Sequence, residues 1–391
     1  MAENQRLGTY FNTSVGGENV KAFIPPPLPP NPPLEITPDL QDLLEKANRG
    51  LGRLDGVARV LPDPSLFLYT YVRKEALLSS QIEGTQSSFS DLLLFEADEL
   101  PGVPLDDVEE VSHYVSAMNH AMQRLQEGLP LSLRLICETH QILLSGGRGS
   151  DKQPGEFRKS QNWIGGSRPG NALFVPPPPH LVMECMGLLE KFLHNDPVKT
   201  PLLIKAALAH VQFETIHPFL DGNGRIGRLL VTLLMCAEDA LSAPLLYLSL
   251  YFKTNRETYY DLLQRVRTNG DWEKWLDFFL HGVIETTEQA TNTAKKIMDL
   301  FTVDRAKIEK IGRSAASALR VYDLLQKRVA LSIPRAAEQL GISQPTVTNA
   351  IEHLSKLGIA TEATGKKRKK VFVYDGYLKI LGEGAEPIRK K

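Results

Sequence analysis

The chain has few cysteines and no long apolar run. Its three cysteines lie far apart in 391 residues, which argues against a disulfide framework or closely spaced zinc ligands and fits a reducing compartment. No stretch of about 18 apolar residues occurs, so we expect no membrane-spanning helix. The N-terminus lacks a basic-then-apolar leader pattern, and we expect a cytoplasmic protein. The net charge of −1 favours no particular charged partner.

The most informative segment, residues 217–228, reads His-Pro-Phe-Leu-Asp-Gly-Asn-Gly-Arg-Ile-Gly-Arg. Helical spacing of apolar residues predicts one helix over residues 201–214 and a second beginning near Arg225. The glycines at 222 and 224 tolerate left-handed backbone and allow close approach of a ligand. Successive N–H groups in such a loop form an anion-binding nest, and the next helix adds its N-terminal N–H groups. The segment therefore predicts a phosphate site.

Four charged or titratable residues of this segment support the same interpretation. Arg225 and Arg228 share one helix face at an N-terminus, where cations need a counter-anion. Arginine forks suit phosphate oxygens. Asp221 is an oxygen ligand of the kind that Mg²⁺ takes together with substrate phosphates. His217 titrates near neutral pH and could accept a proton from a hydroxyl.

Residues 217–228 resemble the motif of Fic-domain enzymes, His-x-Phe-x-(Asp/Glu)-Gly-Asn-Gly-Arg-x-x-Arg, at every fixed position. The resemblance implies transfer of AMP from ATP to a Tyr, Ser or Thr hydroxyl of a target protein or of the enzyme itself. His217 would be the base, Phe219 the loop anchor and Asp221 the Mg²⁺ ligand, with Arg228 nearest the γ-phosphate. The implied nucleotide-binding residues of the motif are Asp221, Gly222, Asn223, Gly224, Arg225, Ile226, Gly227 and Arg228.

A second resemblance lies upstream, where Ser79 to Gly84 is similar to the family's inhibitory motif (Ser/Thr)-x-x-x-Glu-(Gly/Asn). Residues 66–84 read as a helix that Gly84 ends. Glu83 would then lie in the last turn, where the helix dipole disfavours an anion and a cation is needed. The resemblance implies Arg228 as that cation. A glutamate there would block the γ-phosphate position, in the class II arrangement of this family.

Two further segments are expected to border the nucleotide. Two apolar runs around residues 162–175, separated by a Gly- and Pro-containing stretch, predict a hairpin similar to the family's flap, which pairs with the target backbone. Residues of this flap that would contact the nucleotide are Asn162, Trp163, Ile164 and Gly165. On the adenine side the family uses a tyrosine and an asparagine, for which the candidates are Tyr259 or Tyr260 and Asn269.

The C-terminal part changes in character after about residue 314. Helices over residues 315–326, 333–340 and 344–357, a tight turn at Gly341 and a two-stranded wing resemble a winged helix-turn-helix domain. Residues 334–391 contain a basic run at 366–370 that could meet phosphates. Polar residues of the third helix that could contact bases are Gln344, Thr346, Thr348 and Asn349. Contact with another protein explains this domain equally well.

These observations predict a mainly α protein with a Fic helical core, a β-hairpin flap and a C-terminal winged helix-turn-helix domain. The expected divisions are an irregular proline-rich segment 1–35, N-terminal helices with the inhibitory helix 36–106, the Fic core 107–290, a linker helix 291–313 and the winged helix 314–391. The function expected is a protein adenylyltransferase using ATP and Mg²⁺ and inhibited by Glu83. Alternatives are a DNA-binding regulator with a nucleotide-sensing core, or an enzyme that removes AMP. The resemblance also allows a homodimer.

Overall fold

Apolar residues at helical spacing account for most of the architecture in the computed structural model of the protein. The structure describes residues 6–60, 64–96, 103–365 and 370–387. Within them the helices are α1 Pro38–Val60, α2 Pro64–Ile82, α3 Phe89–Glu96, α4 Leu105–Gln126, α5 Leu133–Leu143, α6 Pro179–Leu193, α7 Leu202–Ile216, α8 Asn223–Ala237, α9 Ser249–Thr254, α10 Arg256–Asn269, α11 Trp272–Glu309, α12 Ala315–Arg328, α13 Ile333–Leu340, α14 Gln344–Lys356 and α15 Asp375–Gly382.

Helix α7 lies at the centre of the core and carries the first part of the predicted site. Its residues 203–216 are all buried, since it packs against α6, α8, α10 and α11. A helix that is apolar on all faces must be covered on all faces. The predicted helix 201–214 is confirmed, and α8 begins two residues before the predicted start at Arg225.

The N-terminal segment is a β-hairpin, so the expectation of an irregular segment is wrong for residues 9–24. Strands β1 Thr9–Val15 and β2 Glu18–Ile24 pair antiparallel, with Thr9 opposite Ile24. The turn glycines Gly16 and Gly17 have positive φ of 58° and 84°, as a two-residue hairpin turn requires. The inward side chains of Val20 and Ala22 pack on Val175, which gives the strand its buried face.

Helix α11 is longer than expected. It runs without interruption from Trp272 to Glu309 and packs along α1. Residues 291–309 of the expected linker helix are therefore a continuation of a core helix. Its buried residues extend from Trp272 to Ile308, so the same helix carries both the core and the start of the C-terminal part.

The C-terminal elements follow the order that the winged-helix prediction requires. Helices α12, α13 and α14 pack together, with Gly341 in left-handed conformation and Ser343 accepting a hydrogen bond from the Thr346 N–H. The two strands of the expected wing pair antiparallel, and a third strand joins them in the order β3 Ala330–Ser332, β5 Val371–Tyr374, β4 Ala360–Glu362. Residues 366–369 of the basic wing tip lie outside the described residues.

Of the four polar residues expected to contact bases, two use their side chains in local hydrogen bonds. Gln344 and Asn349 are exposed on α14. The Thr346 hydroxyl instead hydrogen-bonds the Ser343 hydroxyl at 2.8 Å, and the Thr348 hydroxyl donates to the Gln344 carbonyl.

None of the helices in the described ranges combines the length and apolarity that crossing a membrane requires.

Candidate functional site

His217 ends α7 in a left-handed conformation. Its φ of 48° is uncommon for a residue other than glycine and turns the chain sharply into the following loop. The amide of Asn162 donates to the carbonyls of Phe219 at 3.0 Å and His217 at 3.4 Å. Asn162 therefore fixes the loop that carries the histidine and is not among the residues that line the cavity beside it, and its expected nucleotide contact stays a prediction.

The loop after His217 is closed by its own side chains. Asn223 accepts from the Phe219 N–H and donates to the Phe219 carbonyl, both at 2.8 Å. The buried ring of Phe219 stacks on His140 with centroids 3.7 Å apart, and His140 also hydrogen-bonds the Asp221 carbonyl. Phe219 is thus the loop anchor, as expected. The Asn223 side chain is used within the loop, which leaves only its backbone for a ligand.

The N-terminus of α8 is shaped to hold an anion. Gly222 precedes it with φ of 77°, and the first N–H groups of a helix have no partner within the helix. A carboxylate oxygen of Glu83 lies so close to Gly224 that a Cβ built there would be 2.3 Å from it. The Glu83 carboxylate therefore stands where the helix N-terminus would receive a phosphate.

Arg228 holds this carboxylate. Its Nη2 donates to Glu83 Oε1 at 2.7 Å and to the Ser79 carbonyl at 3.0 Å, and its Nε donates to the Ser79 hydroxyl at 2.9 Å. Glu83 directly follows the end of α2, and Gly84 continues with φ of 108°. Burial opposes both charges, but their attraction lowers the pKa of Glu83 and raises that of Arg228. The pair predicted from the sequence is confirmed.

Arg225 has a different environment from the one expected. Its side chain is 1% exposed and pairs with Glu110 of α4 at 3.0 Å and with Asp221 at 3.4 Å. These ion pairs tie the motif helix to α4. The Nε and Nη1 atoms of Arg225 have no hydrogen-bond partner among the described residues, so its expected role towards the phosphates stays a prediction.

A cavity of about 740 Å³ opens beside His217, Gly224 and Arg228. Other expected residues also line this cavity: Trp163, Ile164, Gly165, Tyr259 and Tyr260. The lining residues that the sequence did not indicate are Leu173, Phe174, Glu214, Arg256, Leu263, Gln264 and Arg267. The expected residues that do not line it are Asn162, Asp221, Gly222, Asn223, Arg225, Ile226, Gly227 and Asn269. Asn269 is exposed at the end of α10, and its expected contact with the nucleotide stays a prediction.

The two candidate tyrosines differ in accessibility. The hydroxyl of Tyr259 hydrogen-bonds His210 at 2.8 Å inside the core. Tyr260 is 41% exposed, and the guanidinium of Arg256 lies 5.4 Å from its ring centroid. Tyr260 is therefore the tyrosine whose ring is open to a ligand in the cavity.

The segment expected as a hairpin flap forms a loop closed by one bridge. Ile164 and Phe174 exchange backbone hydrogen bonds of 2.8 and 3.1 Å, and a 3₁₀ turn lies between them at Pro169–Asn171. A pair of regular strands is therefore not formed here. Glu18 of β2 pairs with Arg168 at 2.9 Å, so the N-terminal hairpin supports the flap. Leu173 is 78% exposed at its edge.

His217 is neutral at physiological pH. Burial, followed by the nearby charges of Arg267 and Arg158, lowers its pKa to about 3. Its Nδ1 is buried without a hydrogen-bond partner among the described residues. An uncharged imidazole can accept a proton, which is the state that a general base requires. Glu214, one helical turn earlier, is also buried, and burial raises its pKa to about 7.

The buried histidine predicts a pH-dependent stability. Its folded pKa lies below the ordinary value of 6.5, so protons bind the unfolded chain first and His217 destabilises the fold as pH falls from 6.5 towards 3. Relative to His217→Ala, wild type should lose about 1.4 kcal/mol of unfolding free energy per pH unit in this window. Urea unfolding of both proteins at pH 6 and pH 5 measures this change. A stability difference that is equal at the two pH values would contradict it.

Asp221 fits the metal expected at this site. About a third of its side chain (33%) is exposed, and it lies at the start of the anion-binding loop. Among the described residues no group of three or more His, Cys, Asp or Glu side chains could hold a metal by itself. A single carboxylate next to a phosphate site is the donor set that Mg²⁺ uses when substrate phosphates and water complete its shell.

A neutral histidine, a helix N-terminus and a buried arginine surround one cavity of this mainly helical protein, an arrangement whose charge suits an anion. Residues 41–123 match the Fic/DOC family N-terminal domain, and residues 130–235 match the Fic/DOC family. The chain therefore contains a Fic/DOC family N-terminal domain and a Fic domain.

The relatives are consistent with this family. The chain is 30% identical over 202 residues to protein adenylyltransferase Fic of Drosophila erecta, covering 48% of this chain and 37% of that protein. It is 28% identical over 209 residues to a probable protein adenylyltransferase of Aquifex aeolicus, covering 54% and 59%. The chain thus spans well under the full length of these relatives. A Fic family protein from Desulfovibrio desulfuricans G20 shares the fold, with a TM-score of 0.58, 19% identity and coverage of 88% and 97%.

Proposed function

We propose that this protein is an adenylyltransferase that moves AMP from ATP to a Tyr, Ser or Thr hydroxyl of a target protein or of itself. The observation that carries the proposal is that neutral His217 lines the same cavity as the α8 N-terminus at Gly224 and the buried Arg228. A base, a phosphate cradle and a cation are the parts that phosphoryl-type transfer requires. The names of the Drosophila and Aquifex relatives support the same activity.

The reaction follows from these positions. His217 takes the proton of the target hydroxyl as its oxygen attacks the α-phosphorus of ATP. The bond between the α-phosphorus and the oxygen bridging to the β-phosphorus breaks, and pyrophosphate leaves. The N–H groups at the start of α8 and the guanidinium of Arg228 stabilise the charge on the phosphate oxygens. Mg²⁺, held by Asp221 and the phosphates, would supply further charge neutralisation.

We further propose that Glu83 inhibits the enzyme. Its carboxylate lies against Gly224 at the α8 N-terminus and uses Arg228, the cation that the phosphates need. ATP whose terminal phosphate is displaced from this position would present the α-phosphorus to the hydroxyl in a poor alignment. The 740 Å³ cavity beside the pair still has room for a nucleotide, so inhibition acts on alignment more than on binding.

The activity is tested by incubating the full chain with α-labelled ATP and Mg²⁺, alone and with a cell lysate. Wild type is expected to label protein weakly, and the Glu83→Gly variant strongly. Absence of protein-bound label with both proteins, although each binds ATP, would contradict an adenylyltransferase.

A further inference from the structure

Arg158 is a buried cation that binds the backbone around the base. The side chain is 2% exposed. Its guanidinium donates to the carbonyls of His217 at 2.9 Å, Pro177 at 2.6 Å, Ile216 at 3.3 Å and Ser160 at 3.3 Å. Burial lowers its pKa to about 10, which still leaves it charged at neutral pH. Such a side chain is costly to bury, so its carbonyl partners must compensate.

These partners connect the base to the flap. The carbonyls of Ile216 and His217 form the negative C-terminal end of α7, where a cation is favourable. They also belong to the turn in which His217 adopts its left-handed conformation. Pro177 lies three residues after Phe174, which lines the cavity, so one guanidinium joins the turn at His217 to the segment that follows the flap.

We propose that Arg158 is a positioning residue for AMP transfer, holding His217 in its left-handed turn and in register with the flap. This rests on the proposed adenylyltransferase function. Arg158 itself does not line the cavity and so acts through His217. Lysine cannot replace it, because a single ammonium does not reach several carbonyls in one plane.

The test uses the Glu83→Gly protein as parent, with Arg158→Lys and Arg158→Met as variants. Both are expected to lower kcat about 10- to 100-fold, the size expected for a small misplacement of the base, with the KM for ATP near the parent value. Lys159→Met is the matched control, since Lys159 is exposed and pairs only with surface Glu156, and it should match the parent. Unchanged kcat, or a loss of ATP binding in step with kcat, would overturn the positioning role. An inactive parent would instead overturn the proposed function.

A second set of contacts joins residues 383–386, near the C-terminus, to the inhibitory helix α2. Residues 383–386 follow α15 and lie on α2 and α9, with Ala385 3% exposed. Side chains donate to all four of their consecutive carbonyls: Lys74 to Glu383 at 2.8 Å, Lys253 to Gly384 at 3.2 Å and to Glu386, and Gln81 to Ala385 at 3.0 Å. We call residues 383–386 the tail.

The tail reaches the inhibitory motif itself. Gln81 lies between Ser79 and Glu83, and its buried amide donates both to the tail and to the Ser87 carbonyl at 2.8 Å. The backbone carbonyl of Gln81 accepts from the Gly84 N–H at 3.1 Å. The turn that presents Glu83 to Arg228 is therefore tied on one side to the C-terminal domain.

We infer that the tail is a latch that keeps Glu83 on Arg228, so that a partner drawing the C-terminal domain away from α2 would activate transfer. This deepens the proposed function by assigning its regulation. The coupling must be reciprocal, since removing Glu83 from Arg228 would also loosen the tail.

The latch is tested with Ala385→Arg, which places a bulky charge at a buried tail position. Transfer by the otherwise wild-type chain is expected to rise about 5- to 100-fold, the usual range of coupling between sites. Lys379→Met is the control, because Lys379 lies on α15 but forms an exposed pair with Asp375, and it should leave transfer unchanged. Adding Ala385→Arg to Glu83→Gly should cause no further rise, since both changes release the same contact.

Each other result has a defined meaning. The latch would be overturned if Ala385→Arg transferred AMP at the wild-type rate while the double variant with Glu83→Gly was active. It would also be overturned if the double variant was inactive, or if its rate exceeded that of Glu83→Gly by the full factor seen for Ala385→Arg alone. A Glu83→Gly protein without activity would overturn the proposed function rather than the latch.

Discussion

Replacing His217 with alanine in the Glu83→Gly protein is expected to lower AMP transfer about 10²- to 10⁴-fold, the usual contribution of a general base. The imidazole is neutral and borders the cavity, and its loss removes the only proton acceptor that we assign to the target hydroxyl. Binding of ATP should persist, because Arg228 and the α8 N-terminus are unchanged. Initial rates with α-labelled ATP and equilibrium binding of a fluorescent ATP analogue measure the two effects separately.

A control distinguishes chemistry from folding. His210 is another buried histidine of α7, and it hydrogen-bonds the Gly227 carbonyl and Tyr259 rather than lining the cavity. His210→Gln should therefore lower the free energy of unfolding but leave kcat of the folded protein close to the parent value. If His217→Ala retained most of the transfer rate while remaining folded, His217 would not be the base.

Replacing Glu83 with glycine is expected to raise transfer about 10- to 100-fold over wild type. The charge-assisted hydrogen bond to Arg228 is worth about 1.5–3 kcal/mol, and its removal frees the guanidinium for the phosphates. Glycine at 83 also clears the space beside Gly224 that the carboxylate fills. Steady-state transfer with saturating ATP measures the rise.

Glu83→Gln is the graded control for this prediction. It keeps the length of the side chain but not its charge, so it should give an intermediate rate. An enzyme that removes AMP with a water positioned by Glu83 would behave in the opposite way. In that case Glu83→Gly would show no gain in labelling and would lose the ability to release AMP from modified protein.

The parts of the site that could be predicted from sequence are those whose chemistry is local. The glycine at 222 is required by a positive φ, and the glycine at 224 by the close approach of a carboxylate, so both leave a clear pattern. The ion pair of Glu83 and Arg228 spans 145 positions and was reached only through the family resemblance. Without it, a helix ending in Glu-Gly indicates no partner.

The contacts that the sequence does not indicate are those between residues distant in the chain. Arg225 lies three positions from Arg228, yet Glu110 of α4 pairs with it. Nothing in residues 217–228 indicates that partner. Glu214 and Arg267 have no local signal, because charged residues of α7 and α10 resemble ordinary surface positions until the packing of the two helices is known. The N-terminal hairpin has a local signal, since Gly16-Gly17 separates two strand-like runs that pair in the structure.

The most direct test of the account compares ATP labelled at the α-phosphate with ATP labelled at the γ-phosphate, using the Glu83→Gly protein and a lysate. The account predicts that label from the α position becomes protein-bound, that label from the γ position leaves as pyrophosphate, and that added His217→Ala removes the protein-bound label. Protein labelled from the γ position alone would show a kinase reaction and would contradict an adenylyltransferase.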